Sequence, residues 1–75
     1  MQLKEIKVGQ RARIIALNGG KTLYRQRLID LGLLPGTELV VVRMAPLGDP
    51  VEIAVRGFAL SLRKEEASVM QLEVV

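Results

Sequence analysis

The chain alternates apolar and polar residues over several short stretches, and a period of two is typical of β-strands with one buried face. Ala12, Ile14 and Ala16 share one face of the first stretch, and Leu39 and Val41 share one face of the second. Glycine, proline or asparagine separates most of these stretches, which favours tight turns. We predict five strands, over residues 10–17, 37–44, 51–55, 58–62 and 70–74.

One helix is predicted between the first two strands. Tyr24, Leu28 and Leu31 recur at helical spacing, so a helix over residues 22–31 presents one apolar stripe to the core. Gly32 follows at the position where helices often end, because a residue without Cβ enters the left-handed region at little cost. The sequence therefore predicts both the helix and the place where it stops.

A tight corner is predicted to lead from this helix into the second strand. Leu33 is placed to fold back onto Leu28, a hydrophobic contact that often accompanies a glycine cap. Pro35 and Gly36 then supply a fixed φ followed by a free one, as a type II turn requires. Thr37 opens the apolar run of the second strand. Local residues alone therefore specify this corner.

The remaining elements favour a barrel. Phe58, Leu60 and Leu62 are predicted to form the inward row of the fourth strand, and residues 64–67 suit a single helical turn before the last strand. Short strands joined by tight turns favour a small barrel, which leaves no sheet edge exposed. The predicted fold is mainly β: a five-stranded SH3-like barrel with one α-helix inserted between strands 1 and 2, as a single domain over residues 1–75.

The composition argues against catalysis, metal binding and a bound cofactor. The chain has no histidine and no cysteine, so it lacks the usual general base, a thiol nucleophile and the commonest transition-metal ligands. Residues 20–22 (GKT) match the end of a phosphate-binding loop, but position 15, where that pattern needs glycine, is isoleucine. The carboxylates are scattered, and Glu65 and Glu66 are expected to form a solvated turn. No catalytic, cofactor-binding or metal-ligating residue is predicted.

Basic residues are concentrated in the first half of the chain. Residues 1–37 hold seven basic and two acidic groups, whereas residues 38–75 hold four basic and six acidic groups. A basic half favours an acidic protein surface, nucleic acid or phospholipid as partner, and the alternative is a solvated face without one. No stretch approaches the roughly 18 apolar residues of a membrane span, and the first residues lack a signal-peptide pattern. We expect a cytoplasmic protein without direct membrane insertion.

Four segments together resemble the FeoA family, small cytosolic accessory proteins of bacterial ferrous-iron uptake. They are residues 27–37 (RLIDLGLLPGT), 45–50 (APLGDP), 62–67 (LRKEEA) and the early run 3–14, in the family's order and spacing. The resemblance implies the same SH3-like barrel and a partner, the membrane ferrous-iron transporter FeoB, whose cytosolic part contains a guanine-nucleotide-binding domain. The expected function is a non-enzymatic cytosolic adaptor that binds this part of FeoB and modulates its assembly or GTPase cycle.

Five residues are predicted to contact such a partner: Tyr24, Arg25, Arg27 and Ile29 of the helix, and Leu47 of a loop. Tyr24 offers a ring edge and a hydroxyl, and the two arginines suit acidic groups. Ile29 lies away from the apolar stripe, where a single exposed residue is often incidental. Leu47 occupies a loop rich in proline, glycine and aspartate, and its alternative is to fold back and close the end of the barrel.

Two other functions fit the same residues. One is a regulatory module like the SH3-like domain of iron-dependent transcriptional repressors, which resembles FeoA in fold. The other is a small basic barrel that binds nucleic acid by combining lysine and arginine with aromatic stacking platforms. If Phe58 points inward, Tyr24 is the sole available platform, so we expect no nucleic acid among the partners. The sequence leaves self-association open.

Overall fold

The computed structural model describes residues 1–75, and its elements lie close to those predicted from the sequence. A short 3₁₀ helix, Leu3–Glu5, precedes the first strand. In chain order the other elements are β1 (Arg11–Leu17), α1 (Thr22–Asp30), β2 (Glu38–Met44), β3 (Val51–Val55), β4 (Phe58–Leu62), α2 (Lys64–Ala67) and β5 (Met70–Val74).

The five strands form one antiparallel sheet in the order β4-β3-β2-β1-β5. The prediction of a mainly β fold with a helix between the first two strands is confirmed, and each predicted strand agrees with the observed one to within a residue. The sheet is not closed by hydrogen bonds, because β4 and β5 each pair on one side only, with β3 and β1 respectively. The expectation that a barrel leaves no edge exposed is therefore wrong for this chain.

The core consists of 16 buried residues, all of them hydrophobic. Alternation places them as predicted: Val51, Ile53 and Val55 of β3 are each at most 2% exposed. Leu3 and Ile6 at the amino terminus are equally buried, at 1% each. The sequence pattern missed these two, because a 3₁₀ turn three residues long has no period to detect. Neither helix is long and apolar enough to cross a membrane.

The end of α1 has the geometry that the sequence predicted. Gly32 adopts φ +83°, and its N–H donates to the Ile29 carbonyl at 2.9 Å. Leu33 N–H donates to the Leu28 carbonyl at 2.8 Å, and both leucine side chains are fully buried. These two hydrogen bonds define a Schellman motif, which satisfies carbonyls that the helix end would otherwise leave without partners.

The corner after the helix joins α1 to the sheet. Thr37 N–H donates to the Leu34 carbonyl at 3.0 Å across Pro35 and Gly36, and Gly36 has φ +94°, which confirms a type II turn. Gly36 N–H also donates to the carbonyl of Ile14 in β1, at 2.7 Å. The turn thus fixes where α1 sits relative to the first strand.

The prediction that Phe58 points into the core is wrong. Its side chain is 48% exposed, although Leu62 on the same face of β4 is fully buried. Leu60, between them, is half-buried and packs against the core. β4 is an edge strand, and burial along it increases from Phe58 through Leu60 to Leu62. Alternation assigned the correct face but not the depth of burial.

Candidate functional site

Helix α1 positions four of the five residues predicted to contact a partner. Leu28 is the buried anchor of this helix, and Tyr24 packs against the core while remaining half-buried. Ile29 is 42% exposed, on a side of the helix away from Leu28. The helix therefore lies with one stripe on the sheet and presents the rest of its surface to solvent.

Arg25 and Arg27 point to opposite sides of α1. Two residues that are two positions apart in a helix are separated by about 160° around its axis, so they cannot touch one flat surface together. Arg25 donates to the Thr22 hydroxyl at 3.3 Å and has no acidic partner. Arg27 forms an ion pair with Glu66 of α2. The structure thus divides the predicted contacts of α1 between two flanks.

The turn α2 connects α1 with the loop that carries Leu47. The Glu66 side chain is 12% exposed, pairs with Arg27, and accepts a hydrogen bond from Arg63 N–H at 3.1 Å. The expectation of a solvated turn is therefore wrong for Glu66, which holds α1 against α2. On the other side, Lys64 N–H at the start of α2 donates to Asp49 Oδ1 at 3.1 Å. This bond ties down the loop between β2 and β3.

Leu47 projects from that loop into solvent. Its side chain is 95% exposed, the highest value among the large hydrophobic residues of the chain. The alternative in which it folds back over the end of the barrel is wrong. Gly48 beside it has φ +80°, and Gly48 N–H donates to the Ala45 carbonyl at 2.7 Å, so the loop is a hydrogen-bonded turn with leucine at its tip.

A second exposed leucine is not among the five residues predicted to contact a partner. Leu23 is 78% exposed and borders a shallow groove on α1. Gln26 Nε2 donates to Asp30 Oδ1 at 2.9 Å within the groove, and Arg27 and Leu31 complete its lining. A signal was present in the sequence, since Leu23 lies outside the stripe formed by the buried residues of α1. An apolar residue that lies outside the buried stripe, on an otherwise polar face, is a candidate contact.

The basic groups near α1 differ in their pairing: Arg27 is paired with Glu66, whereas Lys21 and Arg25 have no internal ion pair. On the sheet, Arg13 bonds to Glu38 at 3.3 Å and to Glu73 at 3.2 Å. Lys21 Nζ lies 5.9 Å from the centroid of the Tyr24 ring, a cation–π arrangement at the start of α1. Lys21 and Arg25 therefore present positive charge that no carboxylate of this chain neutralises.

The polar and charged side chains of the chain lie at its surface. No three acidic side chains converge as metal ligands, and every buried side chain is apolar. The exposure of Phe58 removes the argument that Tyr24 is the sole aromatic platform, but the two rings lie on different elements, β4 and α1. What the surface does offer is exposed Leu23 on one flank of α1 and exposed Ile29 beside unpaired Arg25 on the other, a combination that suits a protein partner.

Comparison with known proteins identifies the family. The model of the FeoA domain matches residues 1–74. A fusion of Fe(2+) transport protein A and the Fe(2+) transporter FeoB from Porphyromonas gingivalis is 33% identical over the whole chain, which spans 9% of the fusion protein's length.

Solved structures agree in fold. The solution structure of FeoA from Chlorobium tepidum is 40% identical, covers 100% of this chain and 70% of its own, and has a TM-score of 0.87. The zinc complex of Stenotrophomonas maltophilia FeoA, described as a procaryotic SH3 domain protein, is 25% identical, covers 97% of this chain and 89% of its own, and has a TM-score of 0.84. The fold is SH3-like, and the chain belongs to the FeoA domain family.

Proposed function

We propose that this protein is a non-enzymatic cytoplasmic adaptor of ferrous-iron transport that docks on the cytosolic part of FeoB. The observation that carries the proposal is the Porphyromonas gingivalis relative, in which the corresponding domain is fused to FeoB. Fusion raises the effective concentration of two modules for each other, an arrangement that favours modules that bind one another. The adaptor modulates the assembly of the transporter or its GTPase cycle.

The exposed half of α1 supports a particular shape for the docking site. Arg25 with Ile29 on one flank and Leu23 with Arg27 on the other span about 200° of the helix circumference. A partner that touches both flanks must be concave, as in complexes where a helix lies in a groove. Leu23 and Ile29 call for apolar patches on the two walls of the groove, and unpaired Arg25 calls for an acidic group beside one of them. Gln26 and Asp30, which lie between the two flanks, call for a polar floor.

Charge reversal at Arg25 tests the basic part of this surface. We expect Arg25→Glu to lower the affinity for the isolated cytosolic domain of FeoB by about tenfold, because an attraction becomes a repulsion. The matched control is Arg11→Glu, which makes the same charge change at an exposed position of β1. Equal affinities for the two variants, measured by calorimetric titration, would show that α1 is not the docking element.

Removal of the exposed leucines tests the apolar part. We expect Leu23→Ser and Leu47→Ser each to weaken binding by about tenfold, because each leucine loses its burial in the complex. Val8→Ser is the control, since Val8 is 59% exposed on a turn outside the proposed surface. Thermal unfolding should be nearly unchanged in all three variants. Loss of binding with Leu23→Ser but not with Leu47→Ser would confine the contact to α1.

The nucleotide state of the partner decides between the two proposed modes of action. The cytosolic domain of FeoB is titrated with this protein, once loaded with GDP and once with a non-hydrolysable GTP analogue. Affinities that differ between the two states support control of the GTPase cycle, and equal affinities support a role in assembly. Absence of binding in both states contradicts the proposal. A parallel titration with oligonucleotides at low salt should give no signal, because nucleic acid is not among the proposed partners.

A further inference from the structure

The edge of the sheet at β4 has no partner within the chain. β4 pairs with β3 on one side, from Val51 opposite Leu62 to Val55 opposite Phe58. No other backbone hydrogen bond reaches β4. An unpaired strand edge presents a row of N–H and C=O groups that can accept another strand.

The hairpin geometry shows which groups of β4 point outward. Arg56 and Gly57 have φ values of +48° and +86°, which define a two-residue type I′ turn. In such a hairpin the residues that flank the turn form a hydrogen-bonded pair, so Phe58 is bonded to Val55. Every second residue of β4 is then bonded to β3. The N–H and C=O groups of Ala59 and Ser61 are therefore directed away from the sheet.

The opposite edge of the sheet, at β5, is protected by the first residue of the chain. On β5, Leu72 N–H donates to the Met1 carbonyl at 2.8 Å, and the Met1 ammonium group donates to the Leu72 carbonyl at 3.0 Å. Glu73 adds a charged side chain to this edge strand. On β4, residues 58–62 (FALSL) contain no charge and no proline. Charge, proline and covering segments are the usual devices that prevent edge pairing, and β4 has none of them.

We propose that the free edge of β4 pairs with the β4 edge of a second copy of this chain, antiparallel and about a two-fold axis at Leu60. In this register Ala59 of each copy lies opposite Ser61 of the other. The two residues exchange N–H···O=C bonds in both directions. Each outward-pointing group of both strands then has a partner. The two five-stranded sheets become one continuous sheet, and the interface is isologous.

Side chains favour the same register. Leu60 faces its own equivalent across the axis, in a non-hydrogen-bonded pair where side chains lie closest. Phe58, which is 48% exposed in the single chain, lies opposite Leu62 of the second copy and diagonal to its Leu60. The pairing therefore covers the aromatic ring that the fold leaves exposed. An uncharged strand can also pair with its own copy without repulsion, whereas a charged strand would place identical charges opposite each other across the axis.

Charges at the two ends of the paired strands oppose the association. The pairing brings the turn that precedes β4, with Arg56, close to the residues that follow β4 in the second copy, Arg63 and Lys64. Like charges near one another weaken the pairing, and salt screens this repulsion. Self-association should therefore strengthen as ionic strength rises. Binding of α1 to an acidic partner should weaken under the same change, so the two interactions are distinguishable in one titration.

Sedimentation equilibrium and amide hydrogen exchange test the pairing on the unmodified chain. A strand pair of this length buries less area than a standard interface, so we expect a dissociation constant of about 10⁻⁴ M. The constant should fall about threefold between 50 mM and 500 mM salt. At concentrations of about 1 mM, the Ala59 and Ser61 amides should gain protection against exchange, and the other exposed amides should not.

A proline variant provides the second test. Ser61→Pro removes the outward N–H donor at a position where the single chain makes no backbone bond, and proline is tolerated at such edge positions. We expect the dissociation constant to rise at least tenfold, whereas Ser61→Ala, which keeps the N–H, should leave it unchanged. A chain that stays monomeric at 1 mM, or a dimer whose protected amides lie elsewhere, overturns the proposal. The exchange measurement decides even if the proline variant does not fold.

Discussion

Replacement of Leu28 by alanine is expected to reduce the free energy of unfolding by about 2–5 kcal/mol, because a fully buried leucine leaves a cavity when its side chain is shortened. Leu28 is the one completely buried side chain of α1. A chain of 75 residues has a total stability of about 4–11 kcal/mol, so the loss is a large fraction of it. Urea denaturation followed by circular dichroism measures the change.

The same helix supplies the control. Leu23→Ala makes the identical substitution at a side chain that is 78% exposed, and the free energy of unfolding should change by less than about 0.5 kcal/mol. Amide exchange adds a local measure, since in Leu28→Ala the amides of α1 should lose more protection than those of β3. Similar losses of stability in the two variants would contradict the assignment of Leu28 as the anchor of the helix.

Replacement of Gly32 by alanine is expected to cost about 2 kcal/mol. At φ +83° an L-residue is strained by about 1–2 kcal/mol. A Cβ added here would lie 2.5 Å from Nη2 of Arg56, whose guanidinium donates to the Gly32 carbonyl. The side chain of Arg56 must then move and the hydrogen bond is weakened, which adds about 1 kcal/mol at most. The melting temperature should fall by about 10 °C.

Gly36 separates the two causes. Its φ is +94°, and a Cβ added at this position meets no atom within 4 Å. Gly36→Ala therefore carries the backbone strain without the contact, and it should be the milder of the two substitutions. The stability lost by Gly32→Ala on an Arg56→Ala background should approach that of Gly36→Ala. If Gly36→Ala proves the more damaging substitution, backbone strain and not Arg56 governs both sites.

Local signals explain why so much of the fold was predictable. Alternation in β3 and the sequence from Gly32 to Gly36 specify faces, caps and turns from neighbouring residues, and the structure agrees with them. Phe58 shows the limit of such signals. Its face follows from alternation, but its exposure depends on β4 being an edge strand, which long-range pairing decides. The burial of Leu3 and Ile6 is unpredictable for a different reason, because their turn is too short to show a period.

The candidate surface was less predictable, because pairing between distant residues shapes it. Nothing near Glu66 in the sequence indicates that Arg27, on another helix, neutralises it. Helical spacing alone, in contrast, separates Arg25 from Arg27 and places Leu23 off the buried stripe. The position of Leu47 at the tip of a turn required the structure, since both orientations of its side chain fit the loop sequence.

The position of β1 between β2 and β5 has a consequence for how the chain folds. Ala12 pairs with Leu39 on one side and with Val74 on the other. The pairing of the first strand is therefore incomplete until nearly the last residue of the domain is in place. Contacts between residues so far apart in sequence slow folding, and small barrels of this kind fold in milliseconds to seconds. During synthesis the β3–β4 hairpin is able to form early. Residues 70–74 must emerge from the ribosome before β5 can pair with β1 and the native state becomes stable.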